Sequence, residues 1–279
     1  MPASSAFAQE AMPLVTTPAG VVHIEETGSG EPLLLLHANP GDIRDFDAVL
    51  PALAEKFRVI RVSWPGYGEG PAPVPPSSAS AMQFAELLVQ LVITLNLVHV
   101  RVIGNSVGGY AAAWLAISQP ERVEAVVLVS PGGFTAHTAF SRWFCRFKGR
   151  EDVTRWLNPW LPRFYLRVKT PAVQAMRARA AGEQNTPVPV AVNAALWRSF
   201  TDPAHDLRVA AASIRARTLV LSGRFDPLIP VRDGHTAAGI IPGACHIVLP
   251  CGHAPFAELP SVFLAAVQPF LARQDKTLP

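Results

Sequence analysis

Ser106 lies in a short motif that is suited to nucleophilic catalysis. Residues 104–109 read G-N-S-V-G-G, which contains the pattern G-x-S-x-G. In that pattern a strand turns sharply into a helix and exposes the serine hydroxyl at the tip of the turn. Glycines beside the serine relieve crowding because they lack Cβ atoms. The flanks fit, since residues 98–103 alternate like a strand and residues 109–117 are small, as in a tightly packed helix. The motif predicts that Ser106 is a nucleophile.

A serine nucleophile needs a general base and a group that orients the base, and two later loops supply both. Strand-like residues 216–222 lead into Gly-Arg-Phe-Asp-Pro, which places Asp226 just beyond that strand. Strand-like residues 245–249 lead into Pro-Cys-Gly-His-Ala-Pro, which places His253 beyond the next strand. Asp233 is a rival carboxylate, but it falls inside a predicted helix. Because ligands bind beyond the carboxyl ends of parallel strands, we expect the serine, Asp226 and His253 to meet there.

Hydrolysis through a serine also needs donors for the oxyanion that forms on the attacked carbonyl. One donor is expected to be the backbone N–H of the residue after the nucleophile, Val107. The other comes from the loop that follows an early strand. The sequence His-Ala-Asn-Pro-Gly follows the apolar run 33–36, and we predict the backbone N–H of Asn39 as the second donor.

Strand-like and helix-like segments alternate along most of the chain, which predicts an α/β fold with a mostly parallel sheet and helices on both faces. Residues 14–130 and 206–275 form the predicted core. Residues 131–205 contain no clear strand and are predicted to be a helical cap, because a structureless loop of that length is uncommon. The predicted strands are 21–26, 33–37, 57–63, 98–103, 123–130, 216–222 and 245–249, and the predicted core helices are 47–55, 81–95, 231–240 and 258–272.

Together the motifs resemble the α/β-hydrolase superfamily over nearly the whole chain. The resemblance depends on H-x-x-P at His37, the elbow at Ser106, Gly-Arg-x-Asp at Asp226 and Gly-His at His253, in the order that the superfamily has them. It implies the α/β-hydrolase fold, a Ser–Asp–His catalytic triad and a cap inserted after the sixth strand. One departure concerns the oxyanion loop, where Ala38 stands in place of the usual glycine and would be strained by unusual backbone angles.

The predicted cap is strongly basic. Residues 141–180 contain ten Lys or Arg and two acidic residues, a net charge of +8. The whole chain carries +3, so the remaining residues carry −5. Two explanations stay open: a solvated basic helix face, or a lid that attracts anionic substrates or an acidic surface.

The cap region is also rich in tryptophan, which buries a large contact area. We expect these rings to form an aromatic underside above the serine. The substrate contacts predicted on this basis, together with the residue before the nucleophile, are Asn105, Trp143 and Trp197. The other tryptophans expected in this underside are Trp156 and Trp160.

The leading functional hypothesis is a cofactor-independent serine hydrolase. It would cleave a small, apolar or aromatic carboxylic ester, thioester or lactone through an acyl-enzyme on Ser106. The alternative is C–C bond hydrolysis of a dienoic diketone, because Gly-Asn-Ser, Gly-Arg-x-Asp and Cys-Gly-His resemble the ring-cleavage-product hydrolases. Against it, Ala254 stands where those enzymes usually have tryptophan. A third hypothesis is a ligand-binding receptor on a hydrolase scaffold. Ser106 excludes the aspartate-nucleophile branches, haloalkane dehalogenases and epoxide hydrolases.

Composition excludes several other classes. The net charge is too small to indicate nucleic acid binding. The longest apolar stretch, residues 87–103, contains five polar residues and does not predict a membrane span. Three cysteines do not form a disulfide framework, which favours a cytoplasmic location, although residues 1–10 also fit the remnant of a processed precursor. No histidine spacing indicates a metal site, so we expect no cofactor and a small-molecule substrate. The oligomeric state is left open, with a homodimer as one option.

Overall fold

A single sheet organises the chain in the computed structural model, which describes residues 14–273. The residues on which the precursor hypothesis depends, 1–10, lie outside that range. The strands are β1 Leu14–Thr17, β2 Gly20–Thr27, β3 Pro32–Leu36, β4 Arg58–Ser63, β5 Val100–Asn105, β6 Val123–Val129, β7 Arg217–Gly223 and β8 Cys245–Leu249. They form an eight-stranded sheet in the order β1-β2-β4-β3-β5-β6-β7-β8.

Strand direction divides the sheet into a short antiparallel edge and a parallel body. β1 pairs with β2 and β2 with β4 in antiparallel register, whereas the six strands from β3 to β8 are all parallel to one another. All four leucines of β3 are buried, as expected of a parallel strand that is covered on both faces. The parallel body therefore brings the carboxyl ends of β3, β5, β7 and β8 to one edge, where the predicted chemistry would take place.

Helices cover both faces of this sheet and fill the interval between β6 and β7. The α-helices of the described residues are α1 Leu50–Ala54, α2 Ala81–Thr94, α3 Val107–Ser118, α4 Ala139–Lys148, α5 Glu151–Leu157, α6 Pro162–Tyr165, α7 Pro171–Ala181, α8 Pro187–Ser199, α9 Val231–Ile240, α10 Pro255–Glu258 and α11 Pro260–Ala272. Helices α4 to α8 follow the sixth strand, in the region that the sequence predicts to be a helical cap.

Two apolar cores lie on opposite faces of the sheet. Leu34 and Leu36 of β3 pack into the core beneath α2, α3 and α9. Leu33 and Leu35 pack into the other core, which is closed by α1, α10 and α11. Burial of each such leucine contributes about 1.5–3 kcal/mol. The predicted α/β architecture, with a parallel sheet between two helical layers, is confirmed.

The predicted elements differ from the observed ones mainly at their ends. The predicted helix 47–55 is shorter in the structure, where it is α1, Leu50–Ala54, and a 3₁₀ turn at Ile43–Phe46 precedes it. The predicted final helix 258–272 is α11, which begins at Pro260. The short α10 that precedes it was not predicted, and it ends before Pro260 because proline has no N–H to continue a helix. β1 was not predicted. No helix within residues 14–273 is long and apolar enough to cross a membrane.

Candidate active site

Ser106 occupies a sharp turn between β5 and α3. Its backbone has φ 57° and ψ −112°, a conformation that L-residues rarely adopt and that strained functional turns retain. The neighbouring glycines are required by close backbone packing. A Cβ on Gly104 would lie 2.2 Å from the carbonyl oxygen of Gly108, and a Cβ on Gly108 would lie 2.4 Å from that of Leu36. The elbow therefore has the geometry that the G-x-S-x-G pattern predicts.

Asp226 and His253 meet across the ends of β7 and β8. Asp226 Oδ2 lies 2.6 Å from His253 Nδ1, and both side chains are buried. Asp226 Oδ1 accepts hydrogen bonds from the backbone N–H groups of Leu228 at 2.9 Å and Ile229 at 3.2 Å. Burial alone would raise the pKa of Asp226, but the charge and hydrogen bond of His253 and these N–H donors hold that pKa below its ordinary value. The carboxylate is thus charged and fixed in orientation.

A small pocket joins the histidine to the serine, since Ser106 and His253 both line it. Asn105 lines the same pocket, where the sequence predicts a substrate contact. Its Nδ2 donates to the carbonyl oxygens of Val129 and His253, each at 3.1 Å. One of these hydrogen bonds ties the end of β5 to the end of β6, and the other ties it to the histidine loop. Only the amide oxygen has no partner among the described residues.

The predicted oxyanion donors lie beside the serine. Asn39 lines both the small pocket and a larger cavity, and Val107 lines the larger cavity. Val107 is the first residue of α3, so its N–H has no acceptor within the helix. The Asn39 side chain is fixed on two sides, because its Nδ2 donates to Asn193 Oδ1 of the cap at 3.2 Å and its Oδ1 accepts from the Tyr67 hydroxyl.

His37 anchors the loop that carries Asn39, the predicted second oxyanion donor. Its Nε2 accepts the backbone N–H of Trp64 at 3.0 Å, so the proton lies on Nδ1, which donates to the carbonyl oxygen of Ala38 at 2.8 Å. Burial lowers the pKa of His37 to about 4, which keeps the ring neutral. Ala38 is not among the described non-glycine residues with positive φ. Alanine therefore causes no backbone strain at the position where the superfamily usually has glycine.

Sequence reasoning missed Glu258, whose buried carboxylate organises the histidine loop. Its Oε2 accepts the backbone N–H of Gly252 at 3.0 Å, and its Oε1 accepts that of Ala254 at 3.2 Å. The same Oε2 accepts the N–H groups of Arg167 at 2.7 Å and Val168 at 2.9 Å from the cap. The available signal was an acidic residue five positions after the histidine, at the end of a short apolar helix.

A cap segment, residues 165–168, packs directly against the histidine loop, and we call it the strap. The backbone N–H of His253 donates to the carbonyl oxygen of Tyr165 at 2.8 Å. A Cβ on Gly252 would lie 1.9 Å from that same oxygen, which explains the glycine before the histidine. No sequence pattern predicts this long-range backbone contact.

A second cap contact, which we call the latch, lies beside the oxyanion loop. Arg179 of α7 pairs with Asp45 at 2.6 Å and approaches Asp42 at 3.4 Å, and Arg44 bridges Asp42 to Glu183 of the cap. Burial, and then the charge of Asp42, raise the pKa of Asp45 to about 7. Arg179 thus stabilises two buried carboxyl groups and fixes α7 to the core.

The larger cavity extends from Ser106 beneath the cap and has a volume of about 550 Å³. This size fits a small organic ligand. Its walls are mostly apolar and aromatic, and Trp197, predicted as a substrate contact, lies in one of them. The other large apolar side chains in the walls are Phe140, Phe144, Phe200, Leu228 and Ile229.

The predicted aromatic underside is wrong for three of the four tryptophans. Trp143, Trp156 and Trp160 are 58%, 67% and 52% exposed and do not line the cavity. Trp143 instead stacks on Phe147, with ring centroids 5.6 Å apart. The reason is helical geometry, because one residue advances the helix by about 100°, and α4 turns Phe144 rather than Trp143 toward the cavity.

The basic residues of 141–180 do not line the cavity either. Within residues 14–273, no cluster of three His, Cys, Asp or Glu side chains is arranged to hold a metal ion.

Comparison with known proteins supports the same family. Residues 31–260 match the alpha/beta hydrolase fold family. The chain is 28% identical over 255 residues to pimeloyl-[acyl-carrier protein] methyl ester esterase of Nitrosomonas europaea, covering 88% of this chain and 97% of that protein. It is 30% identical over 250 residues to 2-hydroxy-6-oxononadienedioate/2-hydroxy-6-oxononatrienedioate hydrolase of Paraburkholderia phymatum, covering 83% and 84%.

Among solved structures, a hydrolase from Pseudomonas aeruginosa PA01 superposes with a TM-score of 0.79 at 26% identity, covering 95% of this chain and 100% of that one. The sheet order, the cap after the sixth strand and these similarities all indicate the same fold family. The chain is a hydrolase and belongs to the alpha/beta hydrolase fold family.

Proposed function

We propose that this protein is a cofactor-independent serine hydrolase that cleaves a small apolar or aromatic carboxylic ester, thioester or lactone. The observation that carries the proposal is the contact of 2.6 Å between Asp226 and His253, at a pocket that Ser106 also lines. A charged, fixed carboxylate on Nδ1 leaves Nε2 of the histidine free to accept the serine proton.

In the proposed reaction, Ser106 Oγ attacks the substrate carbonyl carbon while His253 takes the hydroxyl proton. The oxyanion receives the backbone N–H groups of Asn39 and Val107, which stabilise charge that develops only in the transition state. The C–O (or C–S) bond breaks, the alcohol (or thiol) leaves with the proton from His253, and an acyl-enzyme remains. Water, deprotonated by His253, then releases the carboxylic acid and regenerates the serine.

The cavity supports an apolar substrate. Phe144, Trp197 and Phe200 provide aromatic walls. Arg232 is the only lysine or arginine that lines the cavity within the described residues, and its side chain is 81% exposed. A buried cation that would hold a substrate carboxylate inside the cavity is therefore not among the lining residues.

A fluorophosphonate probe tests the nucleophile. We expect it to label the wild type and Ser118→Ala, at the far end of α3, and to leave Ser106→Ala unlabelled. Equal labelling of Ser106→Ala would contradict the proposal. A panel of p-nitrophenyl esters with acyl chains of increasing length would then measure how much apolar substrate the cavity accepts.

The second candidate is C–C bond hydrolysis of a dienoic ring-cleavage product. It is favoured by the similarity to the hydrolase of Paraburkholderia phymatum, which covers most of both chains. The apolar cavity favours ester hydrolysis, since dienoic ring-cleavage products carry carboxylates that such walls do not bind. Loss of dienolate absorbance faster than hydrolysis of every ester in the panel would favour this candidate instead.

A further inference from the structure

Helix α4 carries an exposed aromatic strip at the edge of the cavity. Phe140, Trp143 and Phe147 are 72%, 58% and 37% exposed. Their rings form a continuous row, with centroids 5.9 Å apart between Phe140 and Trp143 and 5.6 Å apart between Trp143 and Phe147. We call these three residues, together with Arg142 and Arg146, the α4 surface. Exposed aromatic area of this kind is uncommon unless something binds it.

The strip belongs to a wider concentration of exposed aromatic side chains. Trp156, Trp160 and Phe164 are 67%, 52% and 61% exposed and follow α4 in the cap. Within the described residues, the only other exposed Phe or Trp is Phe225. Six of the seven exposed Phe and Trp side chains of the described residues therefore lie in the cap.

The charge around the α4 surface indicates which kind of partner can bind there. Arg142 and Arg146 are one helical turn apart on α4, on the side of the helix next to Trp143, and Arg146 is exposed. The surrounding segment, residues 141–180, has a net charge of +8. Like charges would repel a second copy of the chain that presented the same face. An anionic partner would be attracted.

We propose that the α4 surface adsorbs to an anionic lipid bilayer. A helix with arginines on one face and Trp or Phe on the other lies in the membrane interface, with the rings among the acyl chains and the guanidinium groups on lipid phosphates. Such a helix does not need to span the bilayer, which agrees with the absence of a membrane-spanning helix among residues 14–273.

Helix α4 also forms part of the cavity wall, so adsorption through α4 would affect access to the cavity. Phe140 belongs both to the α4 surface and to the cavity wall, and Phe144, one turn further along, also lines the cavity. A cap adsorbed through α4 would therefore place the cavity edge at the lipid surface. With the proposed ester hydrolysis, apolar esters dissolved in the bilayer would reach Ser106 along this edge.

Vesicle co-sedimentation tests the proposal without requiring turnover. The probes are vesicles of phosphatidylcholine and of an equimolar mixture of phosphatidylcholine and phosphatidylglycerol. We expect the wild type to sediment with the mixed vesicles only, and Trp143→Glu and Arg146→Glu each to reduce the partition coefficient by about tenfold or more. The matched controls, Val209→Glu at an 89% exposed site and Arg215→Glu at an exposed site outside the cap, should bind like the wild type.

Four results would overturn the proposal. The first is a wild type that does not sediment with the mixed vesicles. The second is an equal loss of binding in the controls. The third is loss in Arg146→Glu but not in Trp143→Glu, which would indicate an acidic protein partner rather than a bilayer. The fourth is a dimer in sedimentation velocity that Trp143→Glu dissociates, which would assign the surface to a second copy. Fluorophosphonate labelling of each variant separates these results from a failure of the serine site.

Discussion

Removal of the Glu258 carboxylate should damage both the stability and the catalysis of this enzyme. The carboxylate accepts four backbone N–H groups, two from the histidine loop and two from the cap, at 2.7 to 3.2 Å. A hydrogen bond to a charged group contributes about 1.5–3 kcal/mol, and each buried donor left without an acceptor costs about 1–3 kcal/mol. Because these four bonds share one side chain, their effects do not add fully. We expect Glu258→Ala to lower the free energy of unfolding by about 4 kcal/mol.

Glu258→Gln is the more informative change because it preserves the shape of the side chain. One oxygen can still accept at the Oε2 position, where three N–H groups converge, but the new amide group would face the N–H of Ala254. We expect a loss of about 2 kcal/mol in the free energy of unfolding, measured by urea denaturation. The histidine loop would also shift, and a displacement of about 1 Å in a catalytic group can cost about a hundredfold in rate.

The kinetic readout separates positioning from general destabilisation. Well below the unfolding midpoint, we expect kcat for a p-nitrophenyl ester to fall at least about tenfold with little change in KM, because the base moves and the cavity walls do not. Glu55→Gln, at an exposed site on the surface, is the matched control. The reasoning would be refuted by a Glu258→Gln protein whose unfolding free energy and kcat both equal those of the control.

Three further predictions follow from buried titratable groups. Burial lowers the pKa of His37 from 6.5 to about 4, so the unfolded chain binds the proton more tightly. Stability should therefore fall by about 3 kcal/mol as the pH drops through this interval, and His37→Asn should show a shallower pH dependence in urea denaturation. Burial also lowers the pKa of Lys148 from 10.5 to about 8. Lys148→Met should raise the free energy of unfolding at pH 7 by about 2–3 kcal/mol, a gain that should disappear as the pH rises from 8 to 10.5. Burial raises the pKa of Cys251 to about 12 and that of Cys145 to about 11, so both thiols should react slowly with a thiol reagent. Cys245 is exposed and should give the fast phase of the reaction, and Cys245→Ser should remove that fast phase.

The sequence predicts the sheet and the convergence of the site because both depend on local signals. The apolar run of β3, the glycines around Ser106 and the turns that contain Asp226 and His253 each define a strand end. A parallel sheet then brings those ends to one edge without further information. The contact between Asp226 and His253 follows from this logic, although its length and the burial of the pair do not.

Contacts between the cap and the core could not be predicted in the same way. Glu258 gives a local signal, but its partners Arg167 and Val168 are about ninety positions away in the chain. The orientation of α4 is also not defined by its sequence, since the aromatic spacing of Phe140, Trp143 and Phe147 is equally compatible with a buried or an exposed face. Tertiary packing decides which face is buried, and here it turns Phe144 toward the cavity and leaves Trp143 exposed.

The strap and the latch together determine how substrate can enter and leave. Each joins the cap to a loop that carries a proposed catalytic group: the strap to the loop of His253, and the latch to the segment that follows Asn39. Raising the whole cap would displace the base and the oxyanion donor at the same moment, so a raised cap would be a resting state without catalytic competence. If substrate and product are to exchange without interrupting catalysis, they must pass through an opening that leaves the strap and the latch closed. Helix α4 packs against α5 and α8, both within the cap, and belongs to neither fastening, so a displacement confined to α4 would leave the strap and the latch in place.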